Sequence, residues 1–185
     1  LEKLQATAGQ TADFTNKVNA LRQQALLANP LLDFSKLLLV RRNASHLGLP
    51  QNWQGNCAIA STGYDNEIAV LAPVGPAGKL TPLFAPEAKR FVGDVDLHFD
   101  ADRMLFSMPD DRKRWAIWEL RADGTGLRRI SPADEPDVDW YDPCYLPDGR
   151  ILFAGTACMA GVPCAAGGNK VANLYLLDPA SGKVR

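Results

Sequence analysis

The sequence predicts an all-β fold behind a single N-terminal α-helix, and three observations predict it. The first is a repeat. Arg103-Met104-Leu105-Phe106 returns 47 positions later as Arg150-Ile151-Leu152-Phe153, and Ala116-Ile117-Trp118-Glu119-Leu120 returns 57 positions later as Asn173-Leu174-Tyr175-Leu176-Leu177. The second is the spacing of turn signals, with 15 glycines and 13 prolines punctuating short apolar runs. Pro147-Asp148-Gly149 is a strong hairpin turn, because proline presets φ and glycine accepts a positive φ. The third is that a helical apolar period occurs once, before residue 30. Four short strands per roughly 45–50 residues are the mark of a β-propeller blade, a small sheet that shields its faces only against its neighbours.

The helix is expected over residues 11–29. Phe14, Val18, Leu21 and Ala25 form one apolar stripe, Thr11 or Asp13 supplies a cap, and Pro30 stops the element. The stripe is expected to pack on the body that follows or on a partner. Residues 1–34 then form helix and linker, and residues 35–185 a partial propeller with blades at 35–84, 94–131 and 141–185. In the first blade Leu37–Val40 reads as a second strand, Glu67–Leu71 as a third and Lys79–Phe84 as a fourth. In the later blades the extended runs 97–102 and 144–149 lead into second strands at Arg103 and Arg150. Third strands lie at 116–120 and 173–177, and fourth strands at 127–130 and 183–185. About three blades do not close a ring. The chain also lacks an initiating methionine and stops within a strand at Arg185, so it is expected to be a piece of something longer.

Composition narrows the function. Across 185 residues, 20 Lys+Arg stand against 21 Asp+Glu, a formal charge of −1. That balance excludes a general nucleic-acid binder. No apolar run approaches the roughly 20 residues of a spanning helix. The four cysteines, Cys57, Cys144, Cys158 and Cys164, have no zinc-ribbon spacing. Cys158 and Cys164 bracket a five-residue loop and are a disulfide candidate, with two free thiols as the alternative. A Cys57–Cys144 bridge is also open. His46 and His98 do not make a metal site, and no metal ligand set is assigned. No nucleotide-binding or hydrolase motif occurs.

In an up-down blade the connections between strands two and three, and between blades, share one end. The long connections 41–66 and 154–171 fall there, as do the inter-blade segments 85–94 and 131–141. Long irregular loops on a rigid scaffold carry binding. The candidates on that face are His46 and Trp53 in the first connection and Asp94 and Asp96 at the start of the second blade. Asp134, Glu135, Asp137, Asp139 and Asp142 follow before the third. Asp94, Asp96 and Asp142 are expected to ring the mouth of a central channel. A solvated acidic loop is the plainer reading of residues 131–142.

Two resemblances follow. Tyr141-Asp142-Pro143-Cys144-Tyr145-Leu146-Pro147-Asp148-Gly149-Arg150-Ile151-Leu152-Phe153, with Asn173-Leu174-Tyr175-Leu176-Leu177-Asp178, resembles the TolB-type, WD-like propeller repeat. A wider set of stretches runs through Asn29-Pro30-Leu31-Leu32-Asp33-Phe34, Leu47-Gly48-Leu49-Pro50-Gln51-Asn52-Trp53-Gln54-Gly55-Asn56, Tyr64-Asp65-Asn66-Glu67-Ile68-Ala69-Val70-Leu71 and Phe91-Val92-Gly93-Asp94-Val95-Asp96-Leu97-His98-Phe99-Asp100. It is similar to the propeller-bearing proteins related to the hydrazine synthase alpha subunit. That resemblance implies a bacterial protein of the periplasm or another extracytoplasmic place, whose further domains can carry haem c. These residues contain no Cys-x-x-Cys-His, so no haem is expected within them. The expected function is an interaction or scaffold module that binds a protein partner or a neighbouring domain through its loop-rich face. The alternative is a subunit of a haem- or metal-dependent oxidoreductase of nitrogen metabolism, with its redox site outside this segment.

Overall fold

The computed structural model describes residues 2–51 and 53–185, with side chains from residue 11 onward. Helix α1 (Glu2–Leu27) begins well before the expected start. Residues 2–10 are mostly helix formers without an apolar stripe, so periodicity does not reveal them. Thr11 and Asp13 therefore lie inside the helix and do not cap it. Thr15 Oγ1 donates back to the Thr11 carbonyl at 2.9 Å, and Lys17 pairs with Asp13 at 2.7 Å. Past the helix, the Asn29 side chain accepts from Leu31 N and starts the turn Pro30–Leu32. Phe14, Val18 and Leu21 of the stripe are all exposed.

The chain divides into two compact units. One holds α1, the chain through Leu37, and Leu71–Lys79; the other holds Leu38–Val70 and Leu80–Arg185.

Among the described residues, eleven strands form three antiparallel sheets. The first contains β1 (Leu37–Arg42), β2 (Asn66–Ala72) and β3 (Lys79–Phe84), in that spatial order. The second runs β4 (Gly93–Leu97), β5 (Arg103–Pro109), β6 (Trp115–Arg121) and β7 (Arg128–Arg129). The third runs β8 (Trp140–Tyr145), β9 (Ile151–Gly155), β10 (Asn173–Asp178) and β11 (Lys183–Val184). The innermost strands sit earlier than the sequence suggests. Residues 98–102 and 146–149 are the turns after β4 and β8, not strand.

Each inner strand carries an irregularity at the same place. The register with β5 shifts between Gly93 and Asp96, and that with β9 between Tyr141 and Cys144. Asp94 (φ 51°) and Asp142 (φ 55°) occupy these bulges in left-handed conformation. A short polar side chain tolerates that conformation better than a bulky or β-branched one.

Alternation along the strands sorts the core. Met104, Phe106, Met108 and Leu120 of the second sheet pack with Ile68 and Val92, backed by Leu38, Leu83 and Phe84 of the first. Leu105 and Ile117, on the opposite side, pack with Trp140, Tyr145, Ile151 and Phe153 of the third. The middle sheet is thus covered on both faces. Beyond the third sheet the pattern changes. Leu174, the repeat counterpart of the fully buried Ile117, is 71% exposed.

Candidate binding face

The long connections 43–65 and 156–172 meet. Gln54 Nε2 of the first donates to Asn169 Oδ1 of the second at 3.3 Å. The inter-blade segments join them at the same end. Phe91 N donates to the Ser61 carbonyl and Tyr64 N to that of Lys89. Asn66, nearly buried, accepts from Val92 N at 2.9 Å and donates to the Arg90 carbonyl at 3.0 Å. Lys170 Nζ reaches the Asp137 carbonyl at 3.1 Å.

An aromatic shelf supports the first connection. Tyr64, Phe91, Trp115 and Tyr141 form a buried cluster with Cys57 and Ile59 against it. Phe91 meets Tyr64 edge-on at 5.3 Å and Trp115 at 5.0 Å, a favoured geometry for aromatic pairs. His46 stacks on Tyr64 at 4.5 Å, so its ring is a packing element. Gly48, at φ 67°, lies flat on Tyr64 and Phe91, where a Cβ would collide with both rings. Gly55 lies the same way against the Tyr141 hydroxyl. Cys57 Sγ stands 3.9 Å from that hydroxyl, and burial holds the Tyr141 phenol well above its ordinary pKa.

Next to the shelf lie Asp94 and Asp142. Asn56, 93% buried by its 7% exposure, donates its amide to Asp94. The Arg42 guanidinium sits 4.8 Å over the Phe91 ring and donates to the Leu47 carbonyl at 2.8 Å. Its burial lowers its pKa, and the Asp94 charge opposes that fall. Asp142 donates its backbone N–H to Ser107 Oγ at 2.9 Å, while its carboxyl has no hydrogen-bond partner among the described residues. Burial and the nearby Asp94 raise the Asp142 pKa above the ordinary carboxylate value.

The remaining candidates divide by role. Asp96 Oδ2 accepts from Tyr145 N at 2.8 Å, which ties β4 to β8. Asp139, 3% exposed, is a buried strut: it accepts from Trp115 N at 3.2 Å and from Lys170 at 2.7 Å, with Arg114 at 3.6 Å. Asp137 is exposed beside Arg114 at 3.5 Å. Asp134 and Glu135 are exposed on the connecting segment. Trp53 projects from the first connection at 56% exposure. The structure thus brings Asp94 and Asp142 together and assigns Asp96 and Asp139 to scaffolding. Arg42, Asn56 and Tyr141 were not foreseen. They come from three separate stretches, and no spacing links them.

All four cysteines are free thiols. The bridge open to Cys158 and Cys164 is not made. Cys158 points its thiol at the Val171 carbonyl, while Cys164 lies in the turn Pro163–Ala165, beyond the Gly161–Lys170 bridge. Cys57 and Cys144 are likewise unpaired, and burial raises the Cys144 pKa. Among the described residues, His98, Asp100 and Asp102 are the group whose ligand atoms come within reach of one ion, and they lie at the opposite end. His98 is in a turn, not a strand, with Tyr145 edge-on at 4.8 Å. Arg103 Nη2 stands 2.5 Å from His98 Nε2 and Nη1 binds both Asp102 oxygens, so a guanidinium already occupies that corner.

No family model and no curated protein matches the sequence. Solved structures do. Hydrazine synthase of Kuenenia stuttgartiensis aligns with a TM-score of 0.58 at 19% identity, over 78% of this chain and 21% of that one. An oligogalacturonate lyase in complex with manganese gives 0.52 at 15%, over 83% of this chain and 38% of that one. Puromycin hydrolase gives 0.52 at 16%, over 82% of this chain and 21% of that one. The neighbours are propeller proteins, which establishes a propeller fold relationship. The chain spans well under half of each. No helix among the described residues is long and apolar enough to cross a membrane.

Proposed function

We propose that this chain is the propeller part of an extracytoplasmic protein of the hydrazine synthase alpha kind, and that it binds a protein partner or neighbouring domain through the face built by its two long connections. The observation that carries this reading is their meeting at Gln54 and Asn169, on the shelf that also positions Asp94 and Asp142. A rigid scaffold that gathers its irregular segments at one end concentrates recognition there. The regular turns at the opposite end, such as Pro147-Asp148-Gly149, are short and leave less adaptable surface. The family placement is supported by the long sequence stretches quoted above and by the fold likeness to hydrazine synthase. The further blades of the ring and any haem c belong, in this reading, to polypeptide outside these residues.

Site-specific photo-crosslinking tests the choice of face. A benzoylphenylalanine at position 53 is compared with one at position 99, where Phe99 is 66% exposed at the turn end. Heterologous adducts at 53 and none at 99 support the reading. Adducts confined to 99 overturn it.

A further inference from the structure

The first long connection has two dissimilar sides. Its underside is fixed at closely spaced points. His46 stacks on Tyr64, Gly48 lies on Phe91, Gln54 bonds Asn169, Gly55 rests on Tyr141 and Asn56 bonds Asp94. The connection also carries Leu47, Leu49 and Trp53, at 44%, 66% and 56% exposure. Burial of apolar surface is favourable, so three such side chains left in water are an unused source of affinity. A loop already held in one conformation loses little entropy when it binds.

Charge indicates what these side chains receive. Trp53 is three residues from Asn56, which holds Asp94. Gly93 pairs with Ser107, and the Ser107 hydroxyl accepts from Asp142 N, so Asp94 and Asp142 flank one position of β5. Asp142 has no cation against its carboxyl among the described residues. The Arg42 guanidinium is committed to the Leu47 carbonyl and the Phe91 ring. The pair therefore keeps negative charge beside exposed apolar groups. It lacks a third ligand within reach, so it does not form an ion-coordinating group of the kind found at His98. A guanidinium or ammonium on a flexible stem matches it, because charge-assisted hydrogen bonds to carboxylates are the strong ones and charge complementarity sets specificity.

We propose that this face captures a segment of a partner polypeptide that presents arginine or lysine beside apolar side chains, with the cation seated at Asp94 and Asp142 and the apolar groups on Trp53, Leu49 and Leu47. The proposal rests on the interaction reading of the same face and adds the chemistry of the partner. The test uses the chain against an array of immobilised synthetic decapeptides in matched triplets, with arginine, glutamine or glutamate between leucine and phenylalanine. Arginine members are expected to retain about tenfold more chain than their glutamine or glutamate mates. Asp142→Asn and Trp53→Ala are each expected to remove most of that preference, with urea midpoints no lower than the parent's showing that the variants fold. Asp148→Asn, in the hairpin turn at the opposite end, is expected to leave it intact. Equal retention across the triplets overturns the proposal, as does a preference that survives Asp142→Asn or adducts at position 53 that join two copies of this chain. If heterologous adducts at position 53 persist while the triplets show no preference, the cation is wrong and the face is right. If adducts appear only at position 99, the underlying reading fails first.

Discussion

Ile117→Ala and Leu174→Ala, made separately, measure how the sheets stack. The two residues hold the same place in successive repeats, on β6 and β10. Ile117 is fully buried between the second and third sheets, whereas Leu174 is 71% exposed. Truncating a buried isoleucine to alanine loses transfer free energy and leaves a cavity, at a cost of about 2–5 kcal/mol. Burying a whole leucine side chain stabilises by about 1.5–3 kcal/mol, and less than a third of Leu174 is covered, so it has about 1 kcal/mol or less to lose. Urea unfolding followed by tryptophan fluorescence reads the difference, since Trp115 and Trp140 lie in these cores. With a slope of about 2 kcal/mol per molar, the Ile117→Ala midpoint falls by about 1–2.5 M and the Leu174→Ala midpoint by about 0.5 M or less. Equal shifts would mean that the far side of the third sheet is as covered as the near side, and the stacking order described here would be wrong.

Other outcomes follow from the same packing. Gly55→Ala drives a methyl into the Tyr141 hydroxyl and is expected to lower the urea midpoint, and adding Tyr141→Phe is expected to recover part of the loss, as a double-mutant cycle reads. Asp139→Ala strands Trp115 N and leaves Lys170 and Arg114 without their shared carboxylate; because both cations are about one-third exposed, the expected cost is about 2 kcal/mol by urea unfolding. Asp142 has a folded pKa above its ordinary 3.8, so the folded chain binds that proton more tightly than the unfolded chain does. Its contribution to stability is full below the ordinary value and is lost as pH rises through the raised one. Asp142→Asn is therefore expected to raise the urea midpoint at about pH 7 relative to the parent, and the gain is expected to shrink towards about pH 3.

The repeat was legible because stacking sheets demand the same apolar alternation each time. Arg103-Met104-Leu105-Phe106 and Arg150-Ile151-Leu152-Phe153 fall in β5 and β9, whose in-facing residues fill the cores. The inner strands were misplaced by several residues because a bulge breaks the period of two on which strand reading depends. The meeting of the two long connections was legible from loop length. The surroundings of the single acidic residues were not. Asp139 and Asp142 are three residues apart in one acidic run, yet one is a buried strut and the other an unpaired carboxyl. The difference lies in Lys170 and Arg114, which approach Asp139 from elsewhere in the chain. The disulfide between Cys158 and Cys164 looked feasible from separation alone, but both are free thiols, and Cys158 points its thiol at the Val171 carbonyl.

The first long connection belongs to the core on one side and to solvent on the other, and this separates stability from recognition. Gly48 and Gly55 touch rings that also touch Trp115, a residue of the middle sheet, so changes beneath the loop reach the stacked cores. Leu49 and Trp53 touch solvent over most of their surface. Surface substitutions of that kind usually shift stability by about 0.5 kcal/mol or less, whereas forcing a side chain into a packed ring moves the backbone. Leu49→Ala and Trp53→Ala are therefore expected to leave the urea midpoint in place while abolishing peptide capture. Gly48→Ala, at positive φ and against two rings, is expected to lower the midpoint before any effect on capture can be read. If Trp53→Ala destabilised the chain as much as Gly48→Ala, the indole would belong to the core, and the face would lose its central contact.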